Sequence, residues 1–163
     1  MNFSNWATNN LLGQSIGPIF IADDTEISGI EVREQAGFGI IDVRFHFRKQ
    51  NETTNDEIQV TGWLTNIPNE NWVKSAFVPN DQLVIGLQVK EQAGFGIIDT
   101  RLIYKSKHEN SMNIPFSEWI TKNPNTGVIH DIVIPQGTQC LGLEGKVQAG
   151  FGLVDLRLIY NNI

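Results

Sequence analysis

One segment occurs three times in the sequence, and this repetition constrains the fold more than any other feature. The copies read EVREQAGFGIIDVRFHF (31–47), QVKEQAGFGIIDTRLIY (88–104) and EGKVQAGFGLVDLRLIY (144–160). Five landmarks keep steps of 57 and then 56 residues, and repetition at a fixed period is typical of a fold built from equivalent units. The landmarks are Trp6/Trp63/Trp119, Gly29/Gly86/Gly142, Gly37/Gly94/Gly150, Asp42/Asp99/Asp155 and Arg44/Arg101/Arg157. We therefore predict a single domain, 1–163, made of repeats at about 3–50, 60–107 and 116–163.

The composition indicates a globular protein, with 40% hydrophobic and 18% charged residues. The net charge of −6 argues against nucleic acid, or an anionic membrane held by bulk electrostatics, because phosphate binding needs a Lys/Arg face. A neutral ligand is compatible with this charge. The single cysteine, Cys140, cannot form an intrachain disulfide and favours a reducing compartment, and we expect it to be a buried small hydrophobe.

The N-terminal residues show neither the basic nor the apolar region of a signal peptide. No apolar run approaches the roughly 18 residues of a membrane span. The compartment is therefore unknown, and we expect a cytoplasmic protein or one released by a non-classical route.

Hydrophobic alternation predicts β-strands. Ile41, Val43, Phe45 and Phe47 alternate with polar residues, which is the period of a half-buried strand. The stretch 29–34 also alternates, so the two runs predict a β-hairpin whose turn is the QAGFG segment. Further strands are predicted at 19–21, 76–78 and 132–134 and around each repeated tryptophan. This gives about four strands per repeat, without a helical period.

Two architectures use three copies of four strands. One is the β-prism, with three four-stranded antiparallel sheets around a pseudo-threefold axis, and the other is the β-trefoil. Each repeat runs from a tryptophan through an apolar strand and a turn (79–81 or 135–137) to a Gly-initiated strand, a Gly-rich turn and a final strand. This order resembles the vitelline membrane outer layer proteins, a β-prism family, and the C-terminal β-prism modules of bacterial membrane-attack-complex/perforin proteins.

The resemblance covers the whole chain and implies a lectin-like β-prism, with β-trefoil as the alternative. The sequence also departs from these families. It lacks the disulfide cysteines of the vitelline proteins, and Asp42 follows Gly39 by three positions, not by the four of the jacalin-type Gly-x-x-x-Asp sugar loop. The Gln-x-Trp signature of trefoil lectins is also missing.

The repeated turn and the aspartate after it form the candidate ligand site. Glycine lets the backbone approach a ligand closely, phenylalanine can stack on a sugar ring, and a carboxylate accepts hydrogen bonds from hydroxyls. The alternative is a purely structural turn, with the Asp and Arg of each repeat forming an ion pair. The predicted ligand-binding residues are Gln35, Gly37, Phe38, Gly39, Asp42, Gln92, Gly94, Phe95, Gly96, Asp99, Gln148, Gly150, Phe151, Gly152 and Asp155.

Other candidate residues are given structural roles. The repeated tryptophans are expected in the core. The three histidines, His46, His108 and His130, occupy non-equivalent positions without ligand spacing, so we expect no metal site and no cofactor.

Threefold equivalence favours a binding protein over an enzyme, because catalysis needs one asymmetric set of groups. The sequence predicts a carbohydrate-binding lectin with up to three equivalent sites and glycans as partners; weak sites engaged together gain about 10²–10⁴ in avidity. One alternative, implied by the perforin resemblance, is a membrane- or receptor-targeting module of the kind attached to pore-forming toxins, with Phe38, Phe95 and Phe151 at the membrane surface. The other, allowed by the vitelline resemblance, is a structural or self-assembling protein that forms oligomers.

Overall fold

The computed structural model describes residues 1–36, 39–50, 58–67, 72–108 and 115–163. These residues contain no helix, and thus none that could cross a membrane. The chain instead forms eleven strands within the described ranges. They are β1 (Asn2–Phe3), β2 (Gln14–Phe20), β3 (Thr25–Gln35), β4 (Gly39–Lys49), β5 (Gln59–Val60), β6 (Trp72–Phe77), β7 (Gln82–Gln92), β8 (Gly96–Ser106), β9 (Val128–Val133), β10 (Thr138–Gln148) and β11 (Gly152–Asn162).

The strands make three antiparallel sheets. Sheet A has the order β1-β11-β10-β2, sheet B has β5-β4-β3-β6, and sheet C has β8-β7-β9. Beside β8, a single bridge from Ile103 to Phe116 takes the fourth position of sheet C. The long hairpins β10–β11, β3–β4 and β7–β8 lie at the centre of the sheets, as the alternation predicts. The architecture is the β-prism, and the trefoil alternative is wrong.

Each sheet combines strands from two sequence repeats. The hairpin of one repeat pairs with the two outer strands of the following repeat, so sheet B joins β3 and β4 to β5 and β6. In sheet A the N-terminal strands β1 and β2 flank the C-terminal hairpin. In sheet B the spatial order of the strands, numbered along the chain, is 3-2-1-4, that of a Greek key, and sheet A has the same arrangement except that its outer strands come from the N-terminus.

The three sheets enclose one hydrophobic core, to which every hairpin contributes. The register differs from simple alternation, because a shift occurs at the same place in each hairpin, between Arg33 and Glu34 in sheet B. As a consequence Ile40, Val43 and Phe45 reach the core cluster, whereas Ile41 is buried outside it. The expectation that Ile41 shares a face with Val43 is therefore wrong.

The last glycine of each QAGFG segment lies against the neighbouring sheet. A Cβ on Gly39 would come within 2.6 Å of the Ile97 carbonyl oxygen, and one on Gly96 within 2.6 Å of the Leu153 oxygen. A Cβ on Gly152 would lie 3.0 Å from the Ile40 oxygen, which completes the cycle around the pseudo-threefold axis. The three hairpin turns therefore converge at one end of the prism, called the turn end below.

Candidate functional site

The repeated aspartates are fully buried and bind the backbone of the loop that follows each tryptophan. These Trp loops are residues 6–10, 63–67 and 119–123. The Asp99 carboxylate accepts hydrogen bonds from the N–H groups of Thr100 (2.9 Å), Thr121 (2.8 Å) and Asn123 (3.3 Å). Successive backbone N–H groups that converge on one anion form a small cradle, here filled by a carboxylate of the protein itself.

Asp42 and Asp155 have the same environment. Asp42 accepts from Thr65 at 2.7 Å and Ile67 at 3.3 Å, and Asp155 from Thr8 at 2.7 Å and Asn10 at 3.1 Å. Direct contact between these carboxylates and a ligand remains a prediction that this burial does not favour. The geometry favours an indirect role, in which each aspartate fixes a Trp loop.

The threonine of each Trp loop is a structural residue that the sequence reasoning missed. The hydroxyls of Thr8, Thr65 and Thr121 donate to the carbonyl oxygen before each aspartate, at 2.8, 3.2 and 2.9 Å. The signal was a Trp-x-Thr pattern shared by all three repeats. Each loop also has one residue in the left-handed conformation, which allows its N–H groups to converge.

The repeated arginines stack on the repeated tryptophans. The guanidinium carbons of Arg44, Arg101 and Arg157 lie 4.4 Å from the ring centroids of Trp63, Trp119 and Trp6. The tryptophans are half-buried and outside the core cluster, so the core expectation is wrong. Their rings lie on the outer face of the strands because the cationic side chains of that face are attracted to the surface of an aromatic ring.

Within the repeats no arginine bonds its own aspartate. Arg44 instead forms two hydrogen bonds with Glu31, at 2.9 and 3.1 Å, and His46 contacts the same carboxylate at 2.7 Å. Burial would raise the pKa of Glu31, but the hydrogen bonds and charges of Arg44 and His46 outweigh it and the pKa is lowered. The expected Asp–Arg ion pair is thus replaced by a bond to the residue across the hairpin, which is Glu31 for Arg44.

In the second and third repeats the QAGFG segments form the predicted hairpin turns. The N–H of Phe95 donates to the Gln92 oxygen, and that of Phe151 to the Gln148 oxygen, both at 3.0 Å. Gly94 and Gly150 have φ of 84° and 86°, a conformation that glycine adopts without steric cost. Gly37 and Phe38 of the first copy lie outside the described residues.

A cleft of about 730 Å³ opens at the turn end, between sheet A, which contributes its hairpin turn and strand β2, and sheet B, which contributes its hairpin and the Trp loop 63–67. We call it the turn cleft. Three glutamine side chains, Gln14, Gln35 and Gln148, lie among its walls. Its apolar surface comes from Ile16, Ile41, Ile67, Val147 and Phe151. None of the described residues that line it carries a charge.

The turn cleft brings together part of the predicted site. Gln35, Gln148, Gly150, Phe151 and Gly152 line it. Gly39 lies nearer the axis, against Ile97 and Ile98. The turn of sheet C lies apart, with its members Gln92, Gly94, Phe95 and Gly96 outside this lining. The Gln92 side chain accepts a hydrogen bond from Asn125 at 3.2 Å, whereas no described residue bonds the amides of Gln35 and Gln148.

The titratable side chains provide no metal site in the part of the chain that the structure describes. No three His, Cys, Asp or Glu residues come together there in a way that could hold an ion. Cys140 is buried as expected, and burial raises the pKa of its thiol to about 12.

No known family profile matches the chain, and no curated protein matches it by sequence. Solved structures do match. Calsepa lectin in complex with a biantennary N-glycan is 14% identical, with 99% of this chain and 97% of that chain covered and a TM-score of 0.60. Single-chain recombinant jacalin is 12% identical, with 95% of this chain and 97% of that chain covered and a TM-score of 0.52. Frutalin from Artocarpus incisa in complex with galactose is 12% identical, with 88% of this chain and 98% of that chain covered and a TM-score of 0.51. At this identity the likeness concerns the fold, and it confirms a β-prism of the kind found in lectins.

Proposed function

We propose that the protein is a carbohydrate-binding lectin, without catalytic activity, and that it holds a neutral sugar in the turn cleft. The observation that carries the proposal is the chemistry of this cleft, in which glutamine amides that no described residue bonds lie beside an apolar surface, and in which no described lining residue is charged. The fold supports the proposal, since two of the matched structures hold a glycan or galactose.

The cleft suits a sugar better than other small ligands. A sugar ring combines hydroxyl groups with an apolar C–H face. The amides of Gln35 and Gln148 each offer donors and an acceptor to hydroxyls, and Phe151 and Ile67 offer apolar contact. A charged ligand would meet no counter-charge among the described lining residues, and a purely apolar ligand would leave the amides unbonded at a cost.

The three candidate sites differ in detail. The turn cleft has Ile67 where the other Trp loops have Asn10 and Asn123, so its apolar surface is larger. We propose that the turn cleft is the strongest site and that the equivalent turns contribute weaker ones. The site of sheet C would use Gln92, Gly94, Phe95 and Gly96. The site of sheet B would use Gly37, Phe38 and Gly39, of which the first two lie outside the described residues.

A glycan array on the wild-type protein identifies the sugar, and titration calorimetry then compares variants. The double variant Gln35→Ala/Gln148→Ala removes two amide contacts worth about 1 kcal/mol each, so binding is expected to weaken roughly thirtyfold. The matched control Gln92→Ala changes the equivalent residue of sheet C and is expected to leave the strongest site unchanged. Circular dichroism confirms that both variants are folded.

Equal losses in both variants would remove the special role of the turn cleft, and failure to bind any glycan would overturn the lectin proposal. The membrane-targeting candidate would then take its place if the protein co-sediments with phosphatidylcholine vesicles. One observation favours that candidate. Large apolar side chains are exposed at the turn end, among them Leu11 (96% exposed) and Trp72 (71%).

A further inference from the structure

A second groove, of about 490 Å³, lies between strand β6 of sheet B and the Trp loop of sheet C. We call it the lysine groove. Lys74, Ser75 and Phe77 line it from the strand, and Glu118, Trp119 and Lys122 from the loop side. It shares no lining residue with the turn cleft.

The two lysines distinguish this sheet boundary from the other two. The repeat places Gly17 and His130 at the positions equivalent to Lys74, and Asn9 and Asn66 at those equivalent to Lys122. The threefold repeat therefore does not account for the two ammonium groups of this groove, which stand out in a protein with a net charge of −6.

Lys122 also adopts a backbone conformation that lysine rarely takes. Its φ is 52°, in the left-handed region, and the equivalent Asn9 and Asn66 have φ of 53° and 52°. Asparagine tolerates this region, whereas longer side chains are seldom found there. Strained backbone conformations cluster at binding and catalytic sites. The conformation of Lys122 therefore indicates that this groove has a function.

Both ammonium groups are held loosely. Lys122 pairs with Glu118 at 3.3 Å, but their side chains are 70% and 82% exposed, and such a surface pair contributes little. The Lys74 Nζ lies 3.5 Å from Glu34 and 3.4 Å from the Thr121 carbonyl oxygen, both at the long end for such contacts. An anion in the groove can therefore bind Lys122 without breaking a strong bond, and it can approach Lys74 while that ammonium group keeps its long contact with Glu34.

The remaining lining fits a sugar that bears the anion. The Ser75 hydroxyl can donate and accept hydrogen bonds, and the exposed Glu118 carboxylate can accept them from sugar hydroxyls. From these features we propose that the lysine groove binds an acidic sugar, whose carboxylate or sulfate group lies between Lys74 and Lys122. The inference rests on the proposed function only in that its ligand is a glycan.

The test is titration calorimetry with trigalacturonic acid, its neutral methyl ester and galactose 6-sulfate. The wild-type protein is expected to bind at least one of the acidic sugars ten or more times tighter than the ester, and the preferred acid identifies the anionic group. Lys74→Gln/Lys122→Asn is expected to lose at least tenfold in this affinity. Lys122→Asn alone is expected to keep or raise the melting temperature, because it restores the residue of the other repeats. Lys105→Gln, a control on strand β8, removes one positive charge elsewhere and is expected to bind normally.

Equal affinity for acid and ester would overturn the inference, as would a similar loss in the Lys105→Gln control, which would indicate bulk electrostatics. Complete competition by an equal concentration of inorganic sulfate would indicate a simple anion site and overturn the sugar assignment.

The turn-cleft proposal and the lysine-groove proposal can each fail without the other. The Gln35→Ala/Gln148→Ala variant should keep the acidic sugar, and the lysine variant should keep the neutral one. Neutral binding without acidic binding overturns this inference alone, and the reverse overturns only the turn-cleft proposal.

Discussion

At the scale of single residues, the repeated aspartate explains how a surface loop can be built identically three times. Removing a carboxylate from water is costly unless hydrogen bonds replace the lost hydration. At Asp99 three backbone N–H groups do so, and two of them come from the Trp loop more than 20 residues along the chain. The aspartate therefore ties each Trp loop to a hairpin strand.

Asp99→Asn should reveal this role. The amide nitrogen would face N–H donors and could not accept from them, so we expect the free energy of unfolding to fall by about 1–3 kcal/mol. Urea unfolding measures the change. Asp23→Asn, at an exposed turn position, serves as the control and should change stability by less than about 0.5 kcal/mol. An unchanged stability in Asp99→Asn would show that the carboxylate is free for another role.

The sequence marks this residue as special but does not predict its partners. The recurrence of Asp42, Asp99 and Asp155 is visible in the sequence, whereas a backbone N–H group has no identity there. The tryptophans were misplaced for a related reason. Their aromatic character predicts burial, but the cations that cover them, such as Arg44 and Arg33 on Trp63, come from a different repeat.

At the scale of elements, the glycines of the hairpin turn meet two requirements, a left-handed backbone conformation and close packing against the next sheet. The sequence does not show which glycine meets which requirement. Both glycines of each described turn have positive φ. Around the first of them, Gly94 or Gly150, a Cβ would meet open space. A Cβ on the last glycine, by contrast, would lie 2.6 to 3.0 Å from a carbonyl oxygen of the next sheet. Alternation predicts the hairpin correctly, but the contact between sheets depends on the threefold axis and is not encoded locally.

A pair of alanine variants separates the two requirements. Gly94→Ala should cost about 1 kcal/mol, because only the left-handed conformation is penalised. Gly96→Ala should cost about 2–4 kcal/mol, because its Cβ would also lie 2.6 Å from the Leu153 oxygen. Thermal and urea unfolding measure both values. Equal costs would mean that the sheets can move apart at the axis.

At the scale of the whole molecule, the sites lie between units. Each sheet draws on two repeats, and the turn cleft lies between two sheets. Its walls include Gln14, Gln35, Ile67 and Gln148, which are distant in sequence. The repeat predicts the prism and three similar turns. It does not predict that the three boundaries between sheets differ from one another, because these differences come from residues that the repeat does not preserve, such as Ile67 and Lys122.

The most direct test of the central claim is a ¹⁵N NMR titration of the wild-type protein with the neutral sugar that the array selects. We expect the amide signals of Gln148 to Gly152, Gln35 and Thr65 to Ile67 to shift together and saturate first. Weaker shifts at Ala93 to Gly96 would follow at higher concentration. If the sugar binds while the signals of the turn cleft stay in place, its site lies elsewhere and the turn cleft is not the sugar-binding site.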